Sequence, residues 1–211
     1  RVCVWALLLC LPLTVLPKHA WASEKGLAPK AKSAILLDAD TGTVLHEKNS
    51  GEKLPPASIT KIMTLLLVME ALEKGKISYS DKVRVSEYAS SMGGSQIYLE
   101  TGEQMELKDL LKAVAVASAN DASVALAEHI AGTEDAFVDM MNKRAKELGM
   151  KDTRFQNPNG LPADDHYTTA KEVAIMSREL LKHEQVTRYT RIYDDHLRKG
   201  TKNPFWLVNT N

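Results

Sequence analysis

Ser58-Ile-Thr-Lys61 is a segment whose residue types and spacing suit acyl transfer. A serine hydroxyl is a poor nucleophile until a neighbouring group takes its proton, and the nearest candidate base is the lysine three residues on. Residues i and i+3 of a helix are neighbours, so the Lys61 amine can fold back to the Ser58 hydroxyl. A helix starting at or just before Ser58 would also leave the unpaired N–H groups of its first turn beside the reacting atom, where an oxyanion develops. Lys61 can accept a proton only when neutral, and an ordinary lysine, with a pKa of about 10.4, is almost wholly charged at pH 7. Burial, the helix N-terminus or a second cation would have to lower that value.

The spacing alone proves little, because Ser50-Gly-Glu-Lys53 repeats it in a Gly-containing stretch with no helical pattern. Context separates the two. Pro55-Pro56-Ala57 is a stiff, non-helical entry, and Ile62, Leu65, Leu66, Met69 and Leu72 then recur at helical spacing. Sixty residues later Ser118-Ala-Asn120 falls between two apolar helical patterns, Leu107 to Ala117 and Ala122 to Ile130. It reads as a short connection presenting polar side chains from packed helices. Both residue types also favour helix caps, a reading compatible with the chemical one.

Ser-x-x-Lys followed by Ser-x-Asn is the pattern of class A β-lactamases and penicillin-binding proteins, whose third element is Lys-Thr-Gly. More of the chain resembles the low-molecular-mass D-alanyl-D-alanine carboxypeptidases of the penicillin-binding protein 5 type. The resembling stretches are Ala34-Ile-Leu-Leu-Asp-Ala-Asp-Thr-Gly42, Pro56-Ala-Ser-Ile-Thr-Lys-Ile-Met-Thr64, Ala117-Ser-Ala-Asn-Asp-Ala122, Asn157-Pro-Asn-Gly-Leu161 and His166-Tyr-Thr-Thr-Ala170. Lys-Thr-Gly occurs nowhere, and Lys199-Gly200-Thr201 has the letters in the wrong order. In the family that element lies on a strand a little beyond Asn211, so the expectation is a C-terminally truncated catalytic domain over residues 33–211 that lacks part of its site. The missing strand would give a second oxyanion donor, groups for the substrate carboxylate and a second cation beside Lys61.

The resemblance implies that Ser58 attacks the carbonyl between the two D-alanines ending a peptidoglycan stem peptide, forming an acyl-enzyme that water hydrolyses. Ser118 would relay the proton to the leaving amine, and Asn120 would bind Lys61 or the substrate amide. β-Lactams would acylate Ser58 as covalent inhibitors. Class A β-lactamases release the drug through a downstream Glu, whereas Arg154-Phe-Gln-Asn-Pro-Asn-Gly160 contains none, so a long-lived adduct is expected. The competing readings are a non-catalytic penicillin-binding sensor module and a class A-like β-lactamase; a transpeptidase would share every one of these residues.

The chain opens with an apolar run, Val2 to Leu16, then Pro17 and the small-x-small pattern Ala20-Trp21-Ala22, which reads as a secretory signal peptide over residues 1–22. Pro12 and the short apolar length argue against a spanning helix. Cys3 and Cys10, the two cysteines, both lie in that segment, so serine and not thiol chemistry is available to the mature chain. Lys plus Arg and Asp plus Glu number 27 each and are interleaved, which points away from nucleic acid. His46, His129, His183 and His196 lack metal-ligand spacing, and no metal or cofactor is expected. His166 reads as a loop histidine with a structural hydrogen bond, since Lys61 already fills the base role. The expected protein is exported, at the extracytoplasmic face of the membrane or in the cell wall, with membrane association only through a C-terminal segment beyond Asn211.

Residues 23–32 are polar and read as a flexible lead-in. Ser33 to Asp38 and Thr43 to Glu47 form a hairpin through Asp40-Thr41-Gly42, Val83-Arg84-Val85 is a short extended piece, and Ser90 to Ser95 is a loop. Helices are predicted over Leu107 to Ala117, Asp121 to Ala131 and Glu134 to Leu148, the last closed by Gly149, with another opened by a capping box at Thr169-Ala-Lys-Glu172. Arg191 to Leu197 and Phe205 to Val208 are candidate strands. The predicted fold is α+β, a β-lactamase/transpeptidase-like antiparallel sheet against a helical cluster.

Overall fold

The computed structural model describes residues 27–209, so the signal-peptide segment lies outside the described residues. Two units are delimited, Arg1–Lys30 and Ala31–Asn211, and every element below belongs to the second. Strands β1 (Ala34–Leu37) and β2 (Val44–Lys48) pair antiparallel, Ala34 opposite Lys48 and Leu37 opposite Val44. Their turn is tied by Asp38, whose Oδ1 accepts from Thr41 N (2.7 Å) and Thr41 Oγ1 (2.6 Å). Gly42, at φ +76°, completes it, and a Cβ there would lie 2.5 Å from Arg178 Nη1.

A 3₁₀ turn at Ala57–Thr60 leads into α1 (Lys61–Glu73). The helical spacing predicts one apolar stripe, yet Met63, Leu67 and Val68 between the stripe positions are buried too, while Ile62 and Leu72 are only half-buried. A helix apolar all round belongs in a core, and α1 is packed by neighbours on every side. These are α3 (Leu107–Ala117), α4 (Asn120–Ala131), α5 (Glu134–Glu147), α6 (Ala170–Leu181) and α7 (Gln185–Thr190). The first eight residues of α4, Asn120 to Ala127, are likewise buried, and their small side chains let α3 and α1 approach closely.

Three short elements complete the domain before α3: β3 (Lys82–Arg84), α2 (Glu87–Ser90) and β4 (Gln104–Glu106). Strands β5 (Asp194–Leu197) and β6 (Phe205–Val208) close the described chain. The strands form three separate antiparallel pairs, β1 with β2, β3 with β4 and β5 with β6, in place of the single sheet expected. Each strand pairs with its nearest neighbour in sequence, and each pair rests on a helix through at least one strand, β1 on α6, β3 on α4 and β6 on α3. The α+β class holds.

The helix-boundary signals act largely as their chemistry demands. Thr169 Oγ1 accepts from Glu172 N (3.2 Å) and Thr133 Oγ1 from Ala136 N (3.1 Å), and Gly149, at φ +78°, follows α5. The capping box at Thr169 is only half formed. The Glu172 carboxylate turns away to accept from Asp152 N (2.9 Å) and Thr153 Oγ1 (2.5 Å), fastening the loop between α5 and α6 to α6.

Asp121, in the first turn of α4, is fully buried and holds the segment before β4 in place. Its carboxylate accepts from Ile97 N (3.1 Å), Leu99 N (3.0 Å) and Ala122 N (2.8 Å). Asp121→Ala would leave buried N–H groups unpaired at about 1–3 kcal/mol each. The expected result is a loss of about 3 kcal/mol or more in denaturant unfolding, with Asp121→Asn losing less because one acceptor oxygen remains.

Candidate active site

Pro55 and Pro56 deliver the chain to Ala57, which is left-handed at φ +47°, and the 3₁₀ turn then exposes Ser58. Thr60, two residues on, points inward and is completely buried, its Oγ1 lying 2.9 Å from His166 Nε2. Lys61 begins α1 and is 4% exposed. Its Nζ lies 3.2 Å from Ser58 Oγ and donates to Asn120 Oδ1 (2.7 Å) and Asn159 O (2.6 Å). Three acceptors thus match the three donors of the ammonium.

No carboxylate pairs with Lys61 among the described residues. Burial therefore acts on the amine without a compensating negative charge, and it lowers the pKa from 10.5 to about 8. Deprotonation would leave two N–H groups for the two shorter contacts and turn the lone pair toward Ser58 Oγ. The arrangement makes the nearer pair of acceptors an orienting device and leaves the serine hydroxyl as the amine's third and longest contact.

Asn120 is held from two sides. Its Oδ1 faces Lys61, its Nδ2 donates to Gly93 O (2.7 Å), and its main-chain N donates to Ser95 O (2.7 Å). The loop predicted over Ser90 to Ser95 is α2's last residue followed by a segment fastened to the site. Ser118 ends α3 in a left-handed conformation at φ +54° and is half-buried. Neither Ser118 nor Asn120 caps a helix through its side chain, so capping does not account for this pair. Among the described residues the Ser118 hydroxyl makes no hydrogen bond to Ser58 or Lys61.

The second Ser-x-x-Lys has other partners. Ser50 Oγ donates to Glu47 Oε2 (2.7 Å), while Lys53 pairs with Asp152 (3.0 Å) and lies over the Tyr167 ring. His166, buried against the edge of Phe155, bonds Thr60 and not Ser58, and burial pushes its pKa down. A cleft of about 820 Å³ lined by Ile97, Tyr98, Arg198 and Phe205 lies apart from these residues, none of which lines it.

Sequence reasoning missed Asn159. Its carbonyl is a ligand of Lys61, and the loop that carries it is wrapped on itself. Asn157 Oδ1 accepts from Gly160 N (2.7 Å), Asn159 Oδ1 accepts from Leu161 N (2.9 Å), and Thr64 Oγ1 donates to Pro158 O (2.6 Å). Asn-Pro-Asn-Gly is a strong turn signal, but a turn signal does not say which distant side chain its carbonyl meets.

The family model described as D-alanyl-D-alanine carboxypeptidase matches residues 20–211. The chain belongs to this family. It is 57% identical over 210 residues to the D-alanyl-D-alanine carboxypeptidase DacF of Bacillus subtilis, covering 97% of this chain and 54% of that protein. It is 37% identical over 158 residues to DacA of Escherichia coli K12, covering 72% of this chain and 39% of that one. Thus the chain spans about half the length, or less, of these relatives. Among solved structures, the carboxypeptidase DacD of Francisella tularensis superposes with a TM-score of 0.79 at 36% identity, covering 83% of this chain and 42% of that one. Penicillin binding protein 5 of Haemophilus influenzae gives 0.79 at 33%, covering 85% and 52%. The carboxypeptidase-family fold accounts for the helices and short antiparallel pairs described above.

The Lys61 amine is expected to titrate with a midpoint near 8 in a nitrogen-detected NMR titration. The folded value lies below the ordinary one, so between about 8 and about 10.5 the unfolded chain binds more protons, and stability rises with pH through that window. A midpoint at the ordinary lysine value would contradict the burial argument.

Proposed function

We propose that this chain carries the acylating half of a serine D-Ala-D-Ala carboxypeptidase, which removes the terminal D-alanine from peptidoglycan stem peptides through a Ser58 acyl-enzyme. The observation that carries the reading is Lys61, a residue only 4% exposed with no carboxylate partner among the described residues, whose Nζ lies 3.2 Å from the hydroxyl of the exposed Ser58. Membership of the carboxypeptidase family supplies the substrate class.

Neutral Lys61 takes the Ser58 hydroxyl proton as Oγ bonds to the carbonyl carbon of the penultimate D-alanine. Negative charge moves to the carbonyl oxygen, and Ser58 N–H, in the first turn of the helical segment, is a donor for it. The proton on Lys61 passes through the Ser118 hydroxyl to the nitrogen of the terminal D-alanine as the C–N bond breaks. Ser118 Oγ has no competing bond to Ser58 or Lys61 among the described residues, which leaves it available to a substrate amine. Asn120 acts by holding Lys61 and the Gly93 loop. Water then cleaves the ester and restores Ser58.

β-Lactams would acylate the same oxygen. The stretch from Arg154 to Gly160 supplies a main-chain carbonyl and no carboxylate to this site, so nothing there activates a deacylating water as the class A β-lactamase Glu does. The apolar run Val2 to Leu16 ahead of Ala20-Trp21-Ala22 supports export to the cell-wall side. Among the described residues no helix is long and apolar enough to cross a membrane.

The deciding assay is release of free D-alanine from a diacyl-Lys-D-Ala-D-Ala peptide by the full-length protein. Ser58→Ala is expected to abolish release, and Lys61→Ala to lower it by about 10²–10⁴-fold. Labelling by penicillin without any release would indicate a sensor module, and rapid penicillin turnover a β-lactamase.

A further inference from the structure

A methyl group on the Cα of Gly160 has nowhere to go. A Cβ built there would lie 1.9 Å from the Ala57 carbonyl oxygen, 2.3 Å from its carbon and 3.0 Å from Ser58 N. The obstacle is main chain, so no rotamer change relieves it. Gly160 also adopts φ +86°, where L side chains are strained. The loop cannot simply retreat. Asn157 Oδ1 holds Gly160 N (2.7 Å), Thr64 Oγ1 holds Pro158 O (2.6 Å), and Asn159 O is bonded to Lys61 (2.6 Å).

The other face of the contact is the peptide joining Ala57 to Ser58. Ala57 is left-handed at φ +47°, with rigid Pro56 before it. A left-handed alanine is a rare choice, and it decides how the next peptide plane is turned. That plane carries both the carbonyl pressed on Gly160 and the N–H of Ser58. Contact at one end therefore sets the aim of the other.

We propose that Gly160 is a positioning residue for the nucleophile: its bare Cα is the stop against which the Ala57–Ser58 peptide rests, fixing the direction of Ser58 N–H and the placement of Ser58 Oγ relative to Lys61. The inference rests on the acyl-transfer reading above. Gly160 touches no substrate in this scheme and acts only through Ala57 and Ser58.

The test measures the second-order rate of labelling of full-length protein by a fluorescent penicillin, alongside thermal melting. Gly160→Ala is expected to slow labelling by about 100-fold or more, the cost of displacing a reacting group by roughly an ångström. Ala57→Gly removes the left-handed strain, so its melting temperature is unchanged or higher while labelling slows by about 10-fold because the peptide is no longer held. The double variant Gly160→Ala/Ala57→Gly can turn its carbonyl away from the new methyl. It is expected to regain thermal stability yet label as slowly as Gly160→Ala. Recovery of the wild-type labelling rate together with stability in the double variant would make Gly160 a packing residue and overturn the proposal. Should neither Gly160 variant fold, wild-type labelling by Ala57→Gly overturns it equally. Wild-type protein that is never labelled at Ser58 overturns the acyl-transfer reading, and the positioning role with it.

Discussion

The Lys61 ammonium, taken out of water without a counter-charge among the described residues, is the constraint around which the site is built. Lowering a lysine pKa from 10.5 to about 8 corresponds to ~3 kcal/mol of unfavourable transfer for the charged form. A carboxylate partner would remove that penalty and, with it, the neutral amine that proton abstraction needs. Asn120 Oδ1 and Asn159 O offer a compromise: neutral acceptors that satisfy two N–H groups and aim the third position at Ser58 while leaving the charge expensive. Every other part of the site can be understood as holding those two oxygens still.

Holding them still requires helices that cannot shift. Asn120 begins α4, whose first eight residues are buried, and Lys61 begins α1, nine of whose thirteen residues are buried. The ends of two core helices meet, so the Lys61–Asn120 distance is fixed by packing across Ala, Val and Leu side chains and not by a loop's conformation. Asn159 comes from a loop, but Thr64, one turn into α1, anchors that loop at Pro158 O. All three contacts of Lys61 consequently refer back to the same helix. Thr60 adds a fourth tie, through His166, to the loop that precedes α6.

Much of this was legible in the residues. The Ser58 turn, the ends of α3, the hairpin at Asp38 to Thr43 and the Thr169 cap all rest on local chemistry, which a window of a few residues contains. The approach of Lys61 to Ser58 was legible for the same reason, once Pro55-Pro56 distinguished that pair from Ser50 and Lys53. What was not legible depends on residues far apart in the chain. Asn159 is 98 positions from Lys61, and it contributes a main-chain carbonyl, an atom every residue owns. Glu172 looked like a capping-box partner, but the N–H of Asp152 and the hydroxyl of Thr153 compete for it in the folded chain and win. The separation of the strands into three pairs follows from tertiary packing on α6, α4 and α3, of which alternation along a strand carries no trace.

Departures from ordinary conformational rules occur where the chemistry is assigned and also elsewhere, Ala28 being a second left-handed alanine. Ala57 and Ser118 are left-handed at about 1–2 kcal/mol each for residues with a Cβ; Ala57 precedes Ser58, and Ser118 stands two residues before Asn120, which holds Lys61. His166 Nδ1 is buried without a partner among the described residues. Asn49 and Asp165 are also left-handed, but these residue types tolerate it, and Tyr98 and Arg198 are joined to each other through Arg198 Nη2 and Tyr98 O. For Ala57 no side-chain hydrogen bond or residue preference offsets the strain. Its conformation persists because Pro56 on one side and Gly160 on the other exclude alternatives, and α1 behind it does not move. A chain selected for stability alone would place glycine at position 57 and a carboxylate beside Lys61. That it has neither is the physical signature of a site in which the direction of one N–H and the neutrality of one amine matter more than the energy they cost.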